Sequence, residues 1–173
     1  MRLNLVQIPS GTRVFLDANI FLYVFFSHPV YGKSCHHLLK RIESSDISGF
    51  VDEFVMNEVF HKLMITSVVN RYHCAPHEAV PLVRRLPTIL ADLSTLWEAS
   101  DLLQKVDVTS IPGPFFPDAY RISQKYHLLS TDAVHVVAMR KEQISFIATN
   151  DTDFVRVPAL QLCRPVPQDL PVT

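Results

Sequence analysis

Short apolar runs alternate along the chain with longer segments whose apolar residues recur at helical spacing. The apolar runs predict strands at residues 13–16, 47–51, 106–111, 144–149 and 160–163, the last of them at a sheet edge. Helical spacing predicts helices at 20–24, 34–44, 52–70, 76–103 and 118–126, and one more that begins at Ser130 or Thr131. Pro81 and Pro87 are expected to break or kink the fourth. Since strands this apolar have no solvated face, the order predicts an α/β domain with a mainly parallel sheet.

The size and composition favour one compact unit. The chain has 173 residues, of which 48% are apolar and 19% charged, so it can bury a substantial core. We expect a single domain over residues 1–173, with its core at about 13–162 and a short proline-rich tail at 163–173.

The charge and the cysteine content of the chain indicate which cellular compartment and partners to expect. Sixteen basic and 17 acidic residues give a formal net charge of −1, so no overall cationic field draws the chain to nucleic acid. The three cysteines are odd in number and widely spaced, which favours a reducing compartment over a disulfide framework. The first residues lack the apolar length of a signal peptide, and no run reaches membrane-spanning length. These features predict a cytoplasmic protein without a membrane partner.

Four carboxylates stand beside the predicted elements. Asp17 follows the first strand and Asp151 follows the fourth, whereas Glu58 lies about two turns into one helix and Asp132 in the first turn of another. Ligands of open parallel sheets gather beyond the carboxyl ends of the strands, so acids from four elements are expected to converge there. Oxygen ligands of this kind suit Mg2+, which retains several waters. The pattern therefore predicts a divalent metal site.

Each acid alone also has an ordinary structural explanation. Asp17 fits a helix cap, Asp132 complements a helix dipole, and Asp151 or Asp153 fits an Asx turn. Glu58 fits one half of a surface ion pair, since a lysine follows it by one helical turn. The hypothesis of a shared site rests on all the acids together.

Histidines and cysteines offer a competing metal site. His73, Cys74 and His77 lie within five residues, and a Cys-His-His run occupies 35–37. Without a paired Cys-x-x-Cys motif, a structural zinc site is disfavoured. His135 follows Asp132 by nearly one helical turn and is expected to be a satisfied core or rim histidine rather than a general base.

Basic and aromatic residues supply candidates for nucleic-acid contacts. Phe21, Tyr23 and Phe54 can stack on unpaired bases, although their helical spacing favours core packing. Several basic residues can guide a nucleic-acid strand around the acids once metal ions neutralise the acids. Most of these basic residues are nevertheless expected on solvated helix faces: Lys62, Arg71, Arg121, Lys125, Arg140 and Lys141.

The acids belong to motifs whose order along the chain is itself informative. These motifs are Val14-Phe15-Leu16-Asp17-Ala18-Asn19, Asn57-Glu58-Val59, Thr131-Asp132-Ala133-Val134-His135 and Ile147-Ala148-Thr149-Asn150-Asp151-Thr152-Asp153-Phe154. In this order they resemble the PIN-domain nucleases, and among them the virulence-associated toxin ribonucleases. The resemblance spans 13–162, with a segment at 72–117 that is longer than in the small toxins.

The resemblance implies a fold, an activity and a set of site residues. The fold is a three-layer α/β/α sandwich with a five-stranded parallel sheet, and the activity is Mg2+- or Mn2+-dependent cleavage of RNA. Matched by motif, the acidic quartet is Asp17, Glu58, Asp132 and Asp151. Asp153 is matched as a further metal ligand, with Asn19 and Thr149 as supporting residues.

The resemblance also implies partners and leaves two alternatives. A toxin-like member is expected to bind a small antitoxin, and homodimerisation through the early helices, 20–24 and 38–42, is a further expectation. One alternative is an inactive PIN-like module that only binds RNA or protein. The other is a haloacid-dehalogenase-type aspartyl-phosphate hydrolase, whose second aspartate is replaced here by Asn19.

Overall fold

A six-stranded, fully parallel sheet organises the molecule. The computed structural model describes residues 2–113 and 115–167. Its strands follow the order β1-β6-β5-β2-β3-β4 across the sheet. Their bounds are β1 Arg2–Asn4, β2 Arg13–Leu16, β3 Ser48–Asp52, β4 Val108–Ile111, β5 Phe146–Ala148 and β6 Gln161–Arg164. This arrangement confirms the predicted α/β class with a parallel sheet.

Seven α-helices connect these strands within the described residues. They are α1 Ala18–Phe25, α2 Gly32–Glu43, α3 Glu53–Tyr72, α4 Pro76–Arg85, α5 Ser94–Gln104, α6 Phe116–Tyr126 and α7 Ser130–Lys141. Three short 3-10 helices lie at Leu5–Gln7, Pro87–Asp92 and Asp153–Arg156. The chain moves one way across the sheet from β2 to β4 and then returns to β5, so right-handed crossovers place α1–α5 and α6–α7 on opposite faces.

The structure corrects the sequence prediction at one edge of the sheet, where β1 and β6 lie. Strand β1 was not predicted, and it raises the strand number from about five to six. It pairs with β6, whose predicted edge position is therefore wrong, because β6 lies between β1 and β5. Cys163 and Arg164, assigned from sequence to the tail, belong to β6. Residues 168–173 of that tail lie outside the described residues.

The prolines and helix starts also differ in detail from prediction. Pro81 lies inside α4, whereas Pro87 begins the 3-10 helix that separates α4 from α5. The last helix begins at Ser130, with Leu129 in the N-cap position, so neither Ser130 nor Thr131 caps it. The long segment 72–117 is accounted for by α4, α5 and β4.

The central strands are buried because helices cover both faces of the sheet. Val14, Phe15 and Leu16 are fully buried in β2, and Ile147 and Ala148 are fully buried in β5. The apolar segments that predicted strands are therefore the floor of the core, as expected for a parallel sheet. In the described residues, no helix is long and apolar enough to cross a membrane.

Candidate functional site

The polar residues of interest lie at the carboxyl ends of the three central strands. Asp17 directly follows β2, Thr149 directly follows β5, and Asp52 is the last residue of β3. The chain leaves β2 toward β3, while β5 pairs with the other side of β2. This reversal of strand order creates the crevice in which open α/β sheets bind ligands.

Asp17 is fixed by side chains from its own loop and from the end of β5. Its Oδ2 accepts hydrogen bonds from Asn19 Nδ2 and from Thr149 Oγ1, each at 2.5 Å. Asp17 occupies the N-cap position of α1, yet its side chain makes no capping hydrogen bond. Asp17 and Thr149 are both buried. The Asp17 carboxylate therefore bonds across the β2–β5 crevice to Thr149 and does not cap helix α1.

The segment after β5 folds back on the same hydrogen-bond network. The backbone N–H of Asp151 donates to Thr149 Oγ1 at 2.9 Å, and that of Asn150 donates to Asn19 Oδ1 at 3.2 Å. Asp151 Oδ1 accepts from the backbone N–H of Asp153 at 2.8 Å, so Asp151 does form the predicted Asx turn. Asn19 and Thr149 thus connect Asp17 to the Asp151 loop.

Asp153 has a partner of its own. Its Oδ1 forms an ion pair with Arg156 at 2.6 Å, one turn along the 3-10 helix. Both side chains are partly exposed. The carboxylate of Asp153 is therefore already neutralised by a neighbouring cation, unlike that of Asp17.

Burial and mutual repulsion act on Asp17 and Asp132. Burial raises the pKa of Asp17, and the charge of Glu58 raises it further, although Thr149 and His135 oppose the change. Burial also raises the pKa of Asp132, to about 6; His135 opposes this increase, and the charges of Asp151, Asp17 and Asp153 add to it. The acids predicted from sequence therefore act on one another electrostatically, as expected for carboxylates gathered in one place.

Glu58 has the most open environment of the quartet. It lies in α3, four residues after the half-buried Phe54, and it is exposed to solvent. Within the described residues, Glu58 and Lys62 form no ion pair, so the surface pair expected from their spacing is not observed. Glu58 is nevertheless close enough to Asp17 for its charge to influence that carboxylate.

Asp52 and His135 form a buried pair behind these acids, and the sequence did not reveal it. Asp52 Oδ2 lies 2.7 Å from His135 Nδ1, and Asp52 Oδ1 accepts from the backbone N–H groups of Phe54 and Val55 at 3.0 Å. Burial lowers the pKa of His135, but Asp52, Asp17 and Asp132 raise it and give a net increase. His135 is a satisfied core histidine, as predicted, whereas Asp52 is, with Asp17, one of two buried acids at the carboxyl ends of strands in the described part of the chain.

A family model now connects this geometry with known proteins. The model for the PIN domain matches residues 14–160, which include all seven of the site residues predicted from sequence. The chain belongs to the PIN-domain family.

This PIN domain is similar to two curated proteins of Methanocaldococcus jannaschii. It is 27% identical to Ribonuclease VapC2 over 152 residues, 87% of this chain and 92% of that protein. It is 21% identical to Ribonuclease VapC6 over 164 residues, 90% and 99% of the two chains.

Solved structures share the fold at low sequence identity. A structure of VapBC2 from Rickettsia felis, bound to a promoter DNA fragment, matches with a TM-score of 0.59 and 12% identity. The match covers 89% of this PIN domain and 99% of that chain. VapC20 of Mycobacterium tuberculosis, described as a sarcin-ricin loop cleaving toxin, matches with a TM-score of 0.51 and 16% identity, covering 84% and 95%. These likenesses show the fold.

The donor set of this PIN domain suits a hard cation. Its neighbouring acids offer carboxylate oxygens, which suit Mg2+ or Mn2+, and a cation would relieve the repulsion that adds to the effect of burial on the pKa of Asp132. In residues 2–113 and 115–167, no three His, Cys, Asp or Glu side chains are placed to hold an ion jointly, and this holds for the acids as well as for His73, Cys74 and His77. Mg2+ usually keeps several waters and needs only one or two direct carboxylates, so the acids remain compatible with it.

Proposed function

We propose that this PIN domain is a Mg2+- or Mn2+-dependent ribonuclease. The observation that carries the proposal is the hydrogen-bond network at the carboxyl ends of β2 and β5, which holds the buried Asp17 against Asn19 and Thr149 and connects it with the Asp151 loop. The charges of Asp17, Asp151 and Asp153 also act on Asp132 of α7. A buried carboxylate with other carboxylates close to it is costly to maintain, and a bound divalent ion reduces that cost. The similarity to two curated proteins named ribonucleases supports the same activity.

Each residue has a distinct role in this proposal. Asp17, Asp132 and Asp151 hold the ion directly or through water, and Glu58 either binds it or orients and deprotonates the attacking water. Asn19 and Thr149 hold Asp17 in place through the two hydrogen bonds to its Oδ2. Asp153 is a further ligand only if its carboxylate leaves Arg156 and binds the metal ion instead. When bound, the ion supplies an activated water and charge that stabilises the developing phosphorane and leaving oxygen.

Cleavage of single-stranded RNA by the wild-type chain tests the activity. We expect cleavage in Mg2+ or Mn2+, and loss of cleavage when EDTA removes the ion, because the ion supplies the activated water and the charge that stabilises the leaving oxygen. Cleavage that persists at full rate in EDTA would contradict the metal requirement. RNA binding without cleavage in either metal would favour the inactive PIN-like module instead. A phosphoenzyme would indicate the aspartyl-phosphate alternative.

We also propose that the chain is the toxin of a toxin–antitoxin pair, located in the cytoplasm. The similarity to proteins named VapC supports this role, and one neighbouring structure is itself a VapBC complex. The small antitoxin is expected to copurify with the natively expressed chain, and homodimers are expected to form through α1 and α2. Light scattering on the native preparation checks both expectations, and a lone monomer would contradict them.

A further inference from the structure

A row of three aromatic rings lies where strands β3 and β4 end. Phe54 of α3 contacts Phe116 of α6 edge to face, with ring centroids 5.5 Å apart, and Phe116 is followed by Tyr120 at 6.4 Å. Phe116 is 44% exposed and Tyr120 is 70% exposed. The row therefore runs from a half-buried ring out to one that presents most of its surface to solvent.

The inner end of this row lies beside the proposed active site. Phe54 and Glu58 are four residues apart in α3, so their side chains share one face of that helix. Glu58 is in turn near enough to Asp17 for its charge to raise the pKa of that carboxylate. A nucleotide stacked on the outer rings would thus lie along a surface that leads directly to the acids.

A strongly basic groove lies on the face of α6 that begins at Arg121, which is about 100° round the helix from its neighbour Tyr120. Arg121 and Lys125 of α6 and Arg140 and Lys141 of α7 line a groove of about 540 Å3, in which Asp118 is the single acidic lining residue. Asp118 contacts Arg121 at 3.6 Å, but both side chains are largely exposed, so this pair neutralises little. The groove is thus a local positive region on a chain whose formal net charge is −1.

Three of the four cations of this groove lie against aromatic rings and not against acids. Lys125 and Arg140 lie 5.2 Å and 5.5 Å from the centroid of the same Tyr126 ring. Lys141 lies 5.6 Å from the Phe115 ring and donates to a backbone carbonyl. In the described part of the chain, none of these three cations forms an ion pair. Their charge therefore remains available to an anion.

We propose that α6 is the element that binds the single-stranded RNA substrate. Bases stack on Tyr120 and Phe116, and the phosphates lie along the basic groove that begins at Arg121, the neighbour of Tyr120. An aromatic platform beside a cationic groove is the combination by which proteins hold unpaired strands. The charge and the flat exposed rings together favour RNA over an acidic protein as occupant. This inference rests on the proposed function, because it names where the same substrate is held.

Binding of a fluorescent oligouridine, measured in EDTA so that it is not cleaved, tests the stacking surface. We expect Tyr120→Ala to weaken binding by about 5- to 150-fold, the equivalent of one base–aromatic stack of about 1–3 kcal/mol. Tyr120→Phe keeps the ring and should bind as the wild type does. Leu102→Ala, which removes an exposed side chain from α5, is the matched control and should have no effect.

The salt dependence of the same binding tests the basic groove. Replacing Arg121 and Lys125 by glutamine should lower the slope of log K against log salt by about 1.4, since each single-strand phosphate contact contributes about 0.7. The matched control replaces Arg84 and Arg85, an exposed basic pair on α4. Equal effects of the two pairs, or binding by Tyr120→Ala within twofold of wild type, would overturn the inference.

The two proposals fail in distinguishable ways. If the wild type cleaves RNA while the Tyr120 and Arg121/Lys125 variants bind it normally, the inference about α6 is wrong and the ribonuclease stands. If RNA binds through α6 but no metal supports cleavage, the α6 surface stands and the proposed activity is wrong.

Discussion

Replacing Asp52 by alanine is expected to destabilise the fold by about 3–5 kcal/mol. The substitution leaves His135 buried without the carboxylate that lies 2.7 Å from its Nδ1. It also removes the acceptor for the backbone N–H groups of Phe54 and Val55 at the start of α3, which are otherwise capped at 3.0 Å. Chemical denaturation, followed by the loss of helical circular dichroism, measures the change in free energy of unfolding.

Glu53→Ala is the matched control for this prediction. Glu53 is the next residue along the chain and lies in the first turn of the same helix, but it is exposed. Its removal should cost about 0.3–1 kcal/mol through the helix dipole alone. If Asp52→Ala lost no more stability than Glu53→Ala, the buried pair would not contribute as described.

The second large effect is on catalysis: Asp17→Asn is expected to reduce RNA cleavage by about 10²- to 10³-fold, the range for losing one preorganised electrostatic group. The amide keeps a side-chain oxygen that can accept from Asn19 or Thr149, and it removes a buried charge. The variant should therefore unfold at the same temperature as the wild type or slightly higher. Initial cleavage rates at saturating RNA, with thermal unfolding of the same samples, test both parts.

An acid outside the site provides the control for Asp17→Asn. Asp101→Asn makes the same chemical change at an exposed position in α5 and should leave cleavage unchanged. If Asp17→Asn cleaved as fast as Asp101→Asn, Asp17 would have no part in the reaction. If it lost activity only because it unfolded, the thermal measurement would reveal this.

The sequence was informative wherever structure depends on neighbouring residues. Strand β2 matches its predicted bounds, because an apolar run ends at Asp17 and the helix begins at Ala18. Helix α3 extends the predicted 52–70 helix by only two residues, to Tyr72. The acids at the strand ends were also visible, since the carboxyl ends of parallel strands share one edge of the sheet.

Features that depend on distant pairing were missed. Strand β1 has three residues, and its partner Leu162 is far along the chain, so no local pattern distinguishes it from a loop. The Asp52–His135 pair joins residues 83 positions apart, and Asp52 read locally is only a helix start. The available signal was that Asp52 directly follows a predicted apolar strand. The exposure of Tyr120 likewise follows from how α6 packs, which amphipathic spacing alone does not determine.

Thermal unfolding with increasing Mn2+, without RNA, tests the central claim that these acids form a divalent metal site. The wild type is expected to gain stability with metal, by about 2.7 kcal/mol at 100 times the dissociation constant. Asp132→Asn removes a carboxylate whose pKa is raised by burial and by the neighbouring acids, and it should abolish most of that gain. A wild type that Mn2+ does not stabilise, or an Asp132→Asn variant stabilised equally, would contradict the account.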